Sequence, residues 1–343
     1  MNKLATHLDT LSEQTKDLYG EDIDEFMNGF PCGDDEVLNF IQHYLGQNKP
    51  VVFRNAITDW PAFGKWNSRH LVDLLKDKEM SVACTPSGRA DAVDEKEGLF
   101  IKPMEVKMKF NQFMKLLQNK KRTRTEEEAK SLQEEAFNGM DSMNSVFYAQ
   151  HQNSSLTKEF PELLNDVPEN LPFAVKAFEN MPDAVNLWIG DGQSTSSLHK
   201  DPYENIYCVL AGEKIFTLYP PSDIINVPYK HYKEAHYKFE DGKWSIEEEE
   251  SEVPWISIDP DEQTPEEIIE QYPRYKNATP FKVVIGPGDA LYLPSLWLHQ
   301  VAQQHNEEGI VLAVNYWHDM QYGALYNYNH FLCNLQLDNL VQE

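Results

Sequence analysis

The spacing of hydrophobic positions changes along this chain. In the first 48 residues it is helical: Leu4, Leu8, Leu11 and Leu18 come first, then Val37, Leu38, Ile41, Tyr44 and Leu45. Positions three, four and seven apart share one helix face, so two helices are predicted, with Phe30-Pro31-Cys32-Gly33 turning between them. From Pro50 onward, short runs of β-branched and aromatic residues take over. Pro50–Arg54, Met80–Thr85, Val146–Gln150 and Ala184–Gly190 each read as a strand. Two more helices are predicted among them, at Ser68–Lys76 with Ser68 as cap and at Phe110–Leu117.

After Gly190 the β pattern dominates. Glu204–Leu210 and Lys214–Tyr219 read as a hairpin across Ala211-Gly212-Glu213. Phe281–Ile285, Ala290–Leu293, Leu298–Ala302 and Ile310–Tyr316 follow, divided by turn residues. Many short strands with such punctuation predict a mainly β protein with flanking helices (α+β). Its core would be a jelly roll, the double-stranded β-helix of cupin-like proteins. The expected organisation is a helical region at 1–48, the β domain at 49–320 and a terminal helix at 321–343. That helix carries Leu325, Tyr328, Phe331, Leu332 and Leu335, which suit either docking on the same chain or a homodimer face.

Charge adds a second pattern. The chain has 30 basic and 56 acidic residues among 343, a net of −26. That balance argues against a nucleic-acid surface and fits a cationic partner or simple solubility. Between Glu240 and Gln271 stand 13 acidic residues and one lysine. The segment interrupts the strand series and reads as an acidic insertion loop at about 240–271, able to attract a basic, lysine-bearing segment. A charge-dense run at Lys120–Glu135 reads as a solvated extension or insertion. The four cysteines, Cys32, Cys84, Cys208 and Cys333, form no CxxC pair and suit reduced thiols. Neither a signal peptide nor an apolar run of roughly 18 residues is present. A soluble protein of the cytoplasm, or also the nucleus, is expected, with no membrane partner.

The chemistry centres on His199-Lys200-Asp201. On a strand, positions i and i+2 point to one side, so this pair could meet one metal ion. His299 follows a Gly286-Pro287-Gly288-Asp289 turn and an apolar strand. Two histidines and one carboxylate on one face of an octahedron leave the other positions open, as in non-haem Fe(II) oxygenases. His7-Leu8-Asp9 and His305-Asn306-Glu307 have the same spacing in polar surroundings and are taken as chance. Lys214 comes one turn after the Glu204–Leu210 strand and can face the same cavity, where a lysine needs an anionic partner. Asn205 lies four after Asp201 and would face the same way on a strand.

At these residues the chain resembles the JmjC-domain 2-oxoglutarate oxygenases. The shared pattern is His199-x-Asp201, Lys214 and His299, with Gly288-Asp289, Tyr292-x-Pro294, Trp297-x-His299 and Val314-Asn315-Tyr316-Trp317. The resemblance implies Fe(II) on His199, Asp201 and His299, with 2-oxoglutarate and O2 completing the coordination. It implies that Lys214 pairs with the far carboxylate of 2-oxoglutarate, and that Ser196, Tyr148, Asn205 and Asn315 hydrogen-bond it. Ser196 departs from the threonine usual there but keeps the hydroxyl. Tyr148 could instead be a core tyrosine, and Asn315 a buried amide tying the barrel together. Zinc, manganese or nickel could occupy the same ligands.

The implied activity is hydroxylation of a protein side chain coupled to oxidative decarboxylation of 2-oxoglutarate. For the lysyl-hydroxylating members it is (3S)-hydroxylation of lysine in developmentally regulated GTP-binding proteins, a translation-factor-related GTPase class. N-methyl-lysine or arginine demethylation, and a metal-binding cupin without oxygenase activity, stay open. Lys214 separates the last from the others, because a non-oxygenase cupin has no need of a buried cation there.

Overall fold

The computed structural model describes residues 3–118, 137–140 and 143–341; the Lys120–Glu135 run lies outside them. Two sheets form the centre. The larger runs Asp24–Phe26, Val51–Phe53, Ala290–Leu293, Tyr203–Ala211, Val311–Asp319, Ala184–Gly190. The second runs Phe281–Ile285, Glu213–Tyr219, Leu298–Gln304, Thr195–His199, Arg89–Ala90. Val209, Leu291, Leu293 and Ala313 of the first meet Phe216, Leu218, Phe281 and Ile285 of the second in one buried cluster. The larger sheet is buried on its other face too, where Phe53, Ile206, Tyr292 and Tyr316 pack with helical residues such as Phe40 and Phe173. That explains why its strands read as continuous apolar runs rather than alternating ones.

The predicted hairpin is not one. Tyr203–Ala211 pairs with Ala290–Leu293 and Val311–Asp319, whereas Glu213–Tyr219 pairs with Phe281–Ile285 and Leu298–Gln304. The link at Gly212 carries the chain from one sheet to the other. Gly212 has φ 69°, and an added Cβ would stand 2.7 Å from the Gln304 carbonyl oxygen, so only glycine makes this crossing. The same alternation recurs at 190–195, 199–203, 293–298 and 304–311, and it is what makes the fold a jelly roll.

The N-terminal helices form at Lys3–Tyr19 and Asp34–Phe40, the second continuing as a π-helical turn over Ile41–Leu45. Between them Asp24–Phe26 adds an edge strand parallel to Val51–Phe53, which its polar composition did not suggest. The Ser68–Leu75 helix is capped by Asn67, whose side chain accepts the His70 N–H at 2.9 Å; Ser68 instead donates to Glu308. The terminal helix, Ala324–Leu337, docks through Leu332, Cys333 and Leu335, while Tyr326, Tyr328 and Phe331 face solvent.

The acidic segment is largely not a loop. Lys243–Ile256 pairs antiparallel with Tyr229–Glu240 as a long ribbon, and Leu99–Lys102 joins its edge. Asp241 and Gly242 at the ribbon's tip both have positive φ, 50° and 77°, the two-residue turn that matches strand twist. A helix follows at Pro265–Gln271, started by a Thr264–Glu267 capping box. Three successive glutamates of the ribbon are paired: Glu247 with Lys238, Glu248 with Lys233, and Glu249 with Lys102.

Candidate active site

Thr195–His199 and Leu298–Gln304 are antiparallel neighbours, and His199 stands directly opposite His299. Their ring centroids are 4.2 Å apart. The strand ends at His199, so Asp201 does not sit on it; it lies on the short link into Tyr203–Ala211. The i, i+2 expectation names the right pair for a different reason, the turn between the sheets. The same turn puts Asn205 on the other sheet from His199. The Asp201 carbonyl accepts the Leu296 N–H at 2.9 Å, which ties the link to the turn preceding His299. Leu296 has φ 67°, a left-handed conformation that leucine rarely adopts. The turn is held from below by Glu204, whose carboxylate accepts from the Tyr292 and Ser295 hydroxyls and the Ser295 N–H.

Nδ1 of His199 is 2.7 Å from the Ser197 carbonyl oxygen, and Nδ1 of His299 is 3.0 Å from that of Trp297. A carbonyl only accepts, so each Nδ1 carries the proton and each Nε2 keeps its lone pair. Both Nε2 atoms lie 3.7 Å from the same Asp201 oxygen. All three donor atoms fall within 4.8 Å of one another, close enough to converge on one ion. Burial, then the neighbouring His199, lower the His299 pKa to about 4, so the imidazole is neutral at physiological pH and free to act as a ligand.

The three face a cavity of about 850 Å³ between the sheets. Ser196, Tyr148, Asn205 and Asn315 also line it, so it gathers these expected site residues. Asn315 accepts the Trp188 indole N–H at 2.8 Å and donates to Asn205 at 3.1 Å, so it ties strands together and borders the cavity as well. Lys214 is one layer behind the wall. Its ammonium donates to the Tyr148 hydroxyl at 2.8 Å and to Gln303 Oε1 at 2.5 Å, and it is 2% exposed. It lies 5.1 Å from the Tyr148 ring centroid and 5.8 Å from that of Tyr207. Among the described residues no carboxylate pairs with it, and burial pulls its pKa down to about 7. Nε2 of Gln303 is buried without a hydrogen-bond partner. A buried cation and an orphaned donor at one spot fit an anionic ligand group there.

Gln303 and Gly190 were not singled out from the sequence. Gln303 could have been: it lies four after His299 on a strand, on the same side, and stands opposite Lys214 in register. At Gly190 a Cβ would come within 2.5 Å of Gln303 Nε2 and 2.8 Å of the Tyr148 ring, so glycine makes room for that group. The ribbon supplies another wall through His236–Glu240 and Trp255. The Trp255 ring stacks parallel to His199, with centroids 6.0 Å apart.

A family model described as a cupin-like domain matches residues 37–324. JmjC domain-containing protein E of Dictyostelium discoideum is 37% identical over 86% of this chain and 85% of its own. The human protein named bifunctional peptidase and (3S)-lysyl hydroxylase JMJD7 is 36% identical over 87% of this chain and 86% of its own. The Arabidopsis thaliana protein named lysine-specific demethylase JMJ32 is 34% identical over 97% and 92%. The family model spans far more than half of the sequence, these relatives match across most of their length, and the His–Asp–His face is in place. The chain belongs to the JmjC group of cupin-like proteins, the Fe(II)- and 2-oxoglutarate-dependent oxygenases.

Proposed function

We propose that this chain is a protein hydroxylase that oxidises a lysyl side chain. The observation that carries the oxygenase part of this reading is Lys214, a buried ammonium with no carboxylate partner among the described residues, beside the cavity that the His–Asp–His face opens into. His199 Nε2, His299 Nε2 and an Asp201 oxygen would hold Fe(II). When bound, the metal with 2-oxoglutarate supplies the O2 activation that C–H hydroxylation requires.

The protein's own contribution is binding and exclusion. The Lys214 ammonium neutralises the far carboxylate of 2-oxoglutarate, and the Tyr148 hydroxyl orients it. Ser196, Asn205 and Asn315 offer hydrogen bonds at the cavity wall. Trp188, Tyr207 and Phe216 supply apolar lining next to Tyr148 and Lys214, which makes the ammonium's charge count for more. The carbonyls of Ser197 and Trp297 hold the histidine protons on Nδ1.

The lysyl assignment draws on the similarity to the human protein whose name carries that activity. On the resemblance to lysyl-hydroxylating members, the substrate is a developmentally regulated GTP-binding protein. Peptides covering the lysines of such a GTPase, unmodified or N-methylated, would be incubated with Fe(II), 2-oxoglutarate and O2 and weighed by mass spectrometry. Gain of one oxygen on unmodified lysine, with succinate formed, is expected. Loss of a methyl group from methylated lysine alone would replace this reading with demethylation.

A further inference from the structure

Asp91 lines the cavity and has no cationic partner at ion-pair distance among the described residues; its Oδ2 accepts only the Gln150 amide, at 3.3 Å. The two lysines of the cavity wall are differently placed. Lys102 is paired with Glu249 at 2.7 Å and Glu234 at 3.7 Å, and Lys238 with Glu247. Of the other carboxylates in the lining, Asp201 belongs to the metal face, and Glu105 and Glu240 are exposed. Among the described residues Asp91 is therefore the half-buried carboxylate of the cavity wall that is neither in the His–Asp–His face nor in an ion pair.

Its surroundings fix it in place. Arg89–Ala90 pairs in parallel with Thr195–Ser196, so Asp91 emerges beside the strand that carries His199. The Asp91 carbonyl accepts the Ser197 hydroxyl at 2.5 Å, and that hydroxyl accepts the Trp255 indole N–H at 2.9 Å. Asp91 has φ 52°, a conformation that aspartate tolerates better than most residues. Trp255 covers His199 on one side and packs on Phe100, with centroids 4.5 Å apart. An aromatic pair next to a metal ligand, with a carboxylate beside it, suits a side chain that has an apolar stem and a cationic tip.

We infer that Asp91 determines substrate specificity by receiving the ε-ammonium of the target lysine, whose stem lies on Trp255 and Phe100. This rests on the lysyl-hydroxylase reading above. The carboxylate accepts hydrogen bonds from a free ammonium, and acetylation would remove the charge it binds. The aromatic pair alone would hold norleucine, which has the stem without the ammonium.

The test uses the Fe(II)-loaded full chain with two matched pools of short peptides, one with lysine and one with norleucine at the central position. The readout is the ratio of oxygen incorporated into the two pools. Wild type is expected to favour lysine by roughly tenfold or more, the worth of one charge-assisted hydrogen bond. Asp91→Asn should bring the ratio close to one, and Asp91→Glu should restore most of it. A wild-type ratio kept by Asp91→Asn would overturn the inference and leave the hydroxylase reading standing. Equal oxidation of both pools by wild type would overturn it without any variant. Absence of oxygen from both pools, with 2-oxoglutarate still consumed, would remove the lysyl reading and this inference together.

Discussion

Two backbone carbonyls decide what His199 and His299 can do. By accepting the Nδ1 protons they leave both Nε2 lone pairs directed at the space beside Asp201. The ligands line a preformed cavity rather than support the core, so His199→Ala and Asp201→Ala should each abolish 2-oxoglutarate turnover and leave thermal unfolding nearly unchanged. Near-normal turnover in either variant would remove the assignment. Lys214 sets a pH dependence. Burial lowers its pKa to about 7, and a bound carboxylate raises it again, so 2-oxoglutarate binding takes up a proton above that pH. Affinity should therefore fall as pH rises through about 7, approaching roughly tenfold per unit, because the free protein has lost the charge that the ligand needs. His299, with its pKa near 4, is already neutral and does not titrate in this window. Calorimetry in buffers of different ionisation enthalpy would report the proton uptake. Flat affinity between about pH 6 and 9 would show that Lys214 does not meet the ligand.

The ribbon is the element that departs most from expectation, and it changes a prediction. A free acidic loop would draw a basic substrate by unpaired charge. Here Glu247, Glu248 and Glu249 answer Lys238, Lys233 and Lys102, two of which line the cavity. Replacing Glu247–Glu250 with glutamine would uncover those cations at the mouth and repel a basic peptide. Steady-state kinetics should then show lower kcat/KM with little change in kcat, and added salt should shrink the gap because a Debye length is about 8 Å at physiological ionic strength. Equal kcat/KM at low salt would leave the ribbon's charges without a part in capture. The strand was hidden by its glutamate run, which has low β propensity, although Asp241-Gly242 was a hairpin signal in plain view. The error at Glu204–Tyr219 has another origin. Strand positions are local and readable there, but which sheet a strand joins depends on contacts a hundred residues away. A short glycine link permits both a hairpin and a crossing, and only the pairing of each strand with its distant neighbours tells them apart.

At the scale of the whole molecule, alternation between the sheets brings distant positions to one cavity. His199, His299 and Lys214 come from the second sheet, Asn205 and Asn315 from the first, and Tyr148 from a separate small sheet. That His199, Asp201 and His299 would converge could be read from residue type and spacing, because metal chemistry restricts which side chains serve. Gln303, Gly190 and Asp91 could not be read with the same ease. Their importance comes from what folding sets beside them: an ammonium, a tyrosine ring and an aromatic pair. The central claim is that the His–Asp–His face and Lys214 form one site for one ligand. Calorimetric titration of 2-oxoglutarate into wild type and Lys214→Ala, each with and without Mn(II), tests it most directly. The account predicts one metal-dependent binding event that Lys214→Ala weakens by about 10- to 150-fold, the range for a lost charge-assisted hydrogen bond. Binding that ignores the metal, or an affinity unchanged in Lys214→Ala, would contradict it.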